Sequence, residues 1–171
     1  MRRVPISHAR QAGGIVDSAS CCIVKESPVH GKGVFAKRKI QAGSRIIEYK
    51  GERISWPEAI RRAEEKGAPV NHTFYFSLHD GRVIDGGSSG NAARLINHAC
   101  EPNCEAIEHE DGRVYIYALR PIERGEELSY NYALIYEGRH TPSLKREFAC
   151  HCGTPACTGT YLAPKRRGKH T

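Results

Sequence analysis

Residues 148–159 read FACHCGTPACTG, which puts the thiols of Cys150, Cys152 and Cys157 within eight positions of one another. Thiols at this density, interleaved with Gly153, Pro155 and Gly159, are placed to hold a soft metal ion. A structural zinc takes four donors in a tetrahedron, commonly four cysteines or three cysteines and a histidine, so the run is one ligand short. The candidates for the fourth are Cys21, Cys22, Cys100, Cys104, His140 and His151. His151 is flanked by two ligands and points away from their metal. Cys21 and Cys22 open an apolar CCIV run that reads as a buried strand, where a cysteine behaves as a small hydrophobe. The segment NHACEPNC is the best source of the fourth, and spacing alone does not choose between Cys100 and Cys104. Either one would clip the C-terminal segment to the middle of the chain and make metal binding part of folding.

The elements that must bring these residues together read mainly as strands. GSRIIEYKGERI is rich in β-formers between Gly43 and Gly51. FYFSLHDGRVID reads as a hairpin turning at Asp80-Gly81, and EAIEHEDGRVYIYAL as another turning at Asp111-Gly112. Val114, Ile116 and Ala118 alternate with Tyr115 and Tyr117, the pattern of a strand with two unlike faces. One short helix is signposted at Ser55, with Pro57 in its first turn and Glu58 at the capping-box position. Trp56, Ile60 and Ala63 would share its apolar face, and Gly67 would end it. NAARLINHACEPNCEA holds neither period.

The chain has 171 residues and 39% hydrophobic content, enough for one domain, or one domain with a small appendage. Lys and Arg number 26 against 19 Asp and Glu, a net charge of +7. That balance suits acidic partners, including weak nucleic-acid contact through basic tails. The first twenty residues make a poor signal peptide, and no run is long enough to cross a membrane. An intracellular setting follows: nucleus or chromosome in a eukaryote, cytoplasm or a secreted effector in a bacterium. Seven cysteines, an odd number, argue against a disulfide framework. The PKRRGKHT end reads as a disordered basic tail. Glu105, Glu108, Glu110 and Asp111 form an acidic patch that either receives a basic peptide or is a solvated hairpin.

Four stretches then fall in a telling order: HGKGVFAKRKIQAGSRIIEYKGE, GNAARLINHACEPNCEA, IERGEELSYNY and CHCGTPACTGTYL. Together they resemble the SET-domain lysine methyltransferases that carry a post-SET zinc motif, over roughly residues 20–162. The resemblance implies a mainly β SET fold with a knot-like core, one short inserted helix and a zinc-bound post-SET segment. It divides the chain into an N-terminal tail (1–19), SET domain (20–135), post-SET segment (136–162) and basic tail (163–171). No cysteine-rich cluster stands ahead of residue 20, and Ala99 stands where serine is frequent.

The same resemblance assigns roles. Zinc would be held by Cys100, Cys150, Cys152 and Cys157, with Cys104 structural. S-adenosylmethionine would be bound by Gly31, Lys32, Gly33, Arg94, Asn97, His98, Tyr132 and Tyr161; the glycines allow close backbone approach, and Arg94 either contacts the cofactor or braces its loop. Tyr132 would orient the amine, and Tyr130 would restrict the product to mono- or dimethyl-lysine. Counting back from Gly90-Asn91 puts Phe74 at the family's channel tyrosine, with Tyr75 one residue on as the catalytic candidate if the register slips. The expected function is methyl transfer to lysine in a protein such as a histone or nucleoid protein. The rival is an inactive zinc-containing module that binds chromatin or nucleic acid.

Overall fold

A computed structural model describes residues 2–3, 21–65, 67 and 74–165. Most of the expected N-terminal tail, and residues 166–171 of the basic tail, lie outside the described residues. In chain order the strands are β1 (Arg2–Arg3), β2 (Cys22–Glu26), β3 (Lys32–Ala36), β4 (Arg45–Glu48), β5 (Glu52–Ile54), β6 (Tyr75–Ser77) and β7 (Val83–Asp85). They continue as β8 (Asn97–His98), β9 (Cys104–Glu108), β10 (Val114–Ala118), β11 (Ser129–Tyr130) and β12 (Leu134–Ile135). The helices are α1 (Trp56–Glu65) and α2 (Pro142–Glu147), with a 3-10 turn at Ala92–Leu95.

Alternation does what it should in β10: Val114, Ile116 and Ala118 are buried while Tyr115 and Tyr117 are half-buried. β10 sits between β4 and β9, and both expected hairpins form, β6 with β7 and β9 with β10. The principal sheet runs β4-β10-β9-β11-β8. Ile46, Ile116, Ile122, Leu128 and Ile96 fill its core, all close to fully buried.

The knot-like feature is visible in this strand order. β8 and β9 are joined by residues 99–103, yet β11 lies between them and pairs parallel to both. The connection must therefore arch across β11, as Asn103 demonstrates. Its Nδ2 donates to Glu127 O at 2.8 Å and to Glu126 Oε1 at 2.9 Å, and its Oδ1 accepts from Ser129 N at 2.8 Å. A buried amide this well satisfied fixes the crossing.

Three details of the sequence reading change. The CCIV strand forms, but Ile23 is 42% and Val24 36% exposed; the buried residue is Cys21, just ahead of β2. In α1 the Ser55 hydroxyl accepts from Glu58 N, yet the Glu58 carboxylate turns outward to Arg61 and Arg62. Ala59 rather than Ile60 faces inward, against Ile54 and Val83. The second helix, α2, was not expected: Thr141 caps it by accepting from Leu144 N at 3.1 Å, and Pro142 begins it.

Candidate functional site

Residue 100 belongs to the arch that crosses β11, and the C-terminal knuckle folds back to meet it. The Sγ atoms of Cys100, Cys150, Cys152 and Cys157 all lie within 4.8 Å of one another. Cys100 Sγ is 3.8 Å from Cys150 Sγ and 4.0 Å from Cys157 Sγ. Thiolates about 2.3 Å from a tetrahedral zinc are about 3.8 Å apart, so the donor set and its spacing fit that ion. Cys104 is instead buried in the core, and burial pushes its thiol up to about 12. Burial also opposes ionisation of Cys152, but hydrogen bonds from the Cys100 backbone and from Thr154 outweigh it and hold that thiol down at about 6. The knuckle is tied back by Cys150 N donating to Gly159 O and Cys157 N donating to Thr154 O.

Beside the cluster lies a cavity of about 460 Å³, within the range of small-molecule sites. Its walls come from the β2–β3 turn (Val29, His30, Gly31, Lys32), the 3-10 turn (Arg94, Leu95), β8 (Asn97, His98), Tyr132, and the C-terminal segment from Arg146 to Tyr161. The thiol cluster and the cavity thus share Cys150 as a wall residue. Phe148, fully buried after α2, seats Tyr161 with ring centroids 5.6 Å apart.

The rings of His98, Tyr132 and Tyr161 form a mutual cluster with centroids 5.4–5.9 Å apart. Tyr130 is buried, its ring 5.0 Å from that of Tyr132. The Tyr132 hydroxyl donates to Ile96 O at 2.7 Å. His98 is used at both nitrogens: Nδ1 accepts from Tyr132 N at 3.1 Å, which leaves Nε2 as the protonated atom facing Cys100 Sγ at 3.5 Å. One imidazole therefore links the tyrosine to the thiol cluster.

Three residues expected in the catalytic or cofactor site, Tyr130, Tyr75 and Gly33, are not among those lining the cavity. Tyr75 packs with Trp56 against Ile54, Ala59 and Val83, and its phenol is raised by burial and then by the Asp85 charge. Phe74, 39% exposed with the Arg94 guanidinium 5.6 Å from its ring centre, lines the cavity instead. Gly33 also lies outside. A Cβ there would fall 2.2 Å from Glu127 Oε1, so its missing side chain makes room for the chain's own carboxylate. Gly31 does line the cavity, and its φ of +48° is a conformation that favours glycine. Arg94 braces Gly86 O through Nη1 at 3.2 Å, while its Nε is buried without a partner. Of the acidic patch, Glu108 is committed to His79, with 2.7 Å between Oε2 and Nδ1.

Residues 31–133 match the SET domain. The chain belongs to the SET-domain family. It is 39% identical over 137 residues to human histone-lysine N-methyltransferase 2B, an alignment covering 78% of this chain and 5% of that protein. It is 36% identical over 139 residues to the Drosophila melanogaster histone-lysine N-methyltransferase trithorax, covering 78% of this chain and 4% of the relative. The Aspergillus oryzae histone-lysine N-methyltransferase, H3 lysine-4 specific, is 38% identical over 137 residues, covering 78% and 11%. The chain thus spans a small fraction of the length of these relatives. No helix among the described residues is long and apolar enough to cross a membrane.

Glu127 of the SET domain, and Phe148, Arg146 and Glu147 beyond its matched residues, escaped the sequence reading. The last three follow a Thr-Pro helix start that was legible at 141–142. Nothing in the spacing of Glu127 distinguishes it from its neighbours Glu123 and Glu126.

Proposed function

We propose that this SET domain is an S-adenosylmethionine-dependent protein-lysine N-methyltransferase with a structural zinc at Cys100, Cys150, Cys152 and Cys157. The observation that carries the reading is the convergence of Asn97, His98, Tyr132 and Tyr161 on one cavity beside the thiol cluster. Asn97 and His98 offer amide, imidazole and backbone groups to a polar ligand, while Tyr132, Tyr161, Leu95 and Phe74 supply apolar surface. Gly31, Lys32 and Arg94 complete the set that would hold the cofactor.

Bound S-adenosylmethionine supplies an electrophilic methyl group. The chain's own task is to align a lysine amine with it and to admit that amine uncharged. Tyr130 and Tyr132 put aromatic surface where a desolvated ammonium is disfavoured, which lowers the lysine pKa. The Tyr132 hydroxyl spends its proton on Ile96 O, so its oxygen lone pairs are the part available to an amine N–H. Tyr130 adds a second hydroxyl and bulk, which favours mono- or dimethylation.

Relatives named as histone-lysine N-methyltransferases, one of them H3 lysine-4 specific, support a histone H3 tail as the first substrate to test. A chromosomal location and weak nucleic-acid contact through the basic termini accompany that reading. The test is transfer of isotopically labelled methyl from S-adenosylmethionine to a histone panel, with the modified lysine located by mass spectrometry. Folded, zinc-loaded protein that gives no calorimetric heat with S-adenosylmethionine would turn the reading to an inactive zinc-containing chromatin module.

A further inference from the structure

The cavity's two polar walls come from distant parts of the chain, the 27–32 turn and Asn97 of β8, and a single carboxylate behind them holds both. Glu127 is not itself among the lining residues. Its Oε1 accepts from Asn97 Nδ2 at 2.7 Å. Both its oxygens accept from Ser27 Oγ, at 2.8 and 2.9 Å. Ser27 in turn organises the turn: its Oγ accepts from Val29 N at 3.0 Å, and its own N donates to Gly31 O at 2.7 Å.

Around Asn97 Nδ2 stand four acceptors: Ser27 Oγ, His30 O, Lys32 O and Glu127 Oε1. Three of them are oxygens with no proton to give, so the amide must present its NH2 group there and its oxygen to the other side. Glu127 is the shortest contact and the only charged one, and charge-assisted bonds are about twice as strong as neutral ones. Room for it is made by Gly33, where a Cβ would sit 2.2 Å from Oε1 and 2.8 Å from Cδ. Gly33 is not among the glycines with positive φ, so space rather than backbone freedom is what a side chain there would violate.

We infer that Glu127 is a positioning residue for the cavity's ligand. It locks the Asn97 carboxamide and the 27–32 turn into the receiving arrangement, and Gly33 is glycine in order to seat it. The inference rests on the reading of the cavity as the S-adenosylmethionine site. Glutamine at 127 keeps one oxygen that can accept from both Asn97 and Ser27, but it removes the charge that strengthens both bonds and turns the second acceptor on Ser27 into an NH2 group. A hydrogen bond to a charged group is worth about 1.5–3 kcal/mol, which corresponds to roughly 10- to 100-fold in affinity.

The experiment uses the zinc-loaded full chain and the variants Glu127→Gln, Gly33→Ala and their double. Calorimetry with S-adenosylhomocysteine is expected to weaken roughly 10- to 100-fold in each single variant, with kcat at saturating donor changed far less than KM. The double variant is expected to be little worse than either single, because both act on the same contact. In ligand-free protein, the Asn97 side-chain amide resonance, assigned through Asn97→Ala, should shift in both single variants. Wild-type protein that binds S-adenosylhomocysteine while Glu127→Gln binds within two-fold of it overturns the inference, as does an unmoved Asn97 resonance. Wild-type protein that binds no S-adenosylhomocysteine overturns the methyltransferase reading instead, and the amide resonance still decides whether Glu127 sets Asn97.

Discussion

The Tyr132 hydroxyl donates to the carbonyl oxygen of Ile96 at 2.7 Å, tying the aromatic centre to the residue immediately before Asn97. The Tyr132 backbone nitrogen is tied as well, to His98 Nδ1. Tyr132 is thus held through its hydroxyl and its backbone by the two residues that flank Asn97. Tyr132→Phe keeps the ring and removes the hydroxyl. Methyl transfer should fall on the order of 100-fold or more, by analogy with loss of one positioned polar group elsewhere. Stability should change by only about 1 kcal/mol, a few degrees in Tm. Steady-state rates and a thermal melt on one preparation separate the two effects, and activity within ten-fold of wild type would remove Tyr132 from the reaction.

Tyr130 is 2% exposed and stacks at a tilt beside Tyr132, so its hydroxyl is confined within the aromatic centre rather than free to move aside. Tyr130→Phe removes that oxygen without opening a large cavity. The product should move to a higher methylation state, with trimethyl-lysine appearing where the parent stops at mono- or dimethyl. Intact-peptide mass spectra taken at matched total turnover read this directly. An unchanged product distribution would take Tyr130 out of product control.

Asn103 stitches the arch to the strand it crosses through three hydrogen bonds, and it is buried. Asn103→Ala leaves Ser129 N and Glu127 O without their partner, so the loss should be about 2–4 kcal/mol, or roughly 5–15 °C in Tm. Its neighbour Glu126 adds a pH signature. Burial alone would raise that carboxyl, but hydrogen bonds from Arg120, Asn103 and the Glu123 backbone hold it below its ordinary range. A carboxyl depressed in the folded state stabilises above its unfolded pKa, and that contribution is lost as pH falls through the folded value. Melting curves from pH 7 down to pH 3 should therefore fall less steeply for Asn103→Ala than for the parent.

Local signals read well where one residue type and one geometry coincide. Asp-Gly pairs marked both hairpins, and Ser55-Trp56-Pro57 marked α1, because turns and caps depend on near neighbours. The thiol knuckle was legible for the same reason, and the family resemblance selected Cys100, where the four sulfurs meet. Positions set by long-range contact were not legible. Phe74 and Tyr75 differ by one residue, and only the pairing of β6 with β7 decides which faces the cavity. Gly33 carries the same glycine signal as Gly31, yet its neighbour is Glu127, nearly a hundred positions away. Ile60 follows the helical period but is exposed, and Ala59 is the helix residue buried against Ile54 and Val83.

His98 faces Cys100 Sγ through its Nε2 while its Nδ1 receives the Tyr132 backbone, so losing the metal should be felt at the tyrosine. Groups that orient metal ligands commonly change affinity or activity by 10- to 100-fold when disturbed, and the coupling here runs outward through the same kind of contact. Cys157→Ser removes a thiolate that does not touch His98, yet it should release the metal and with it the geometry of Cys100. Three readings are expected together: loss of zinc by elemental analysis, a lowered Tm, and at least ten-fold weaker S-adenosylhomocysteine binding as the Cys150 and Tyr161 walls loosen. Chelation of the wild-type protein should reproduce all three, and added zinc should reverse them. If the zinc-free protein stays folded and binds S-adenosylhomocysteine undiminished, the cluster is a staple for the C-terminal segment alone and His98 transmits nothing.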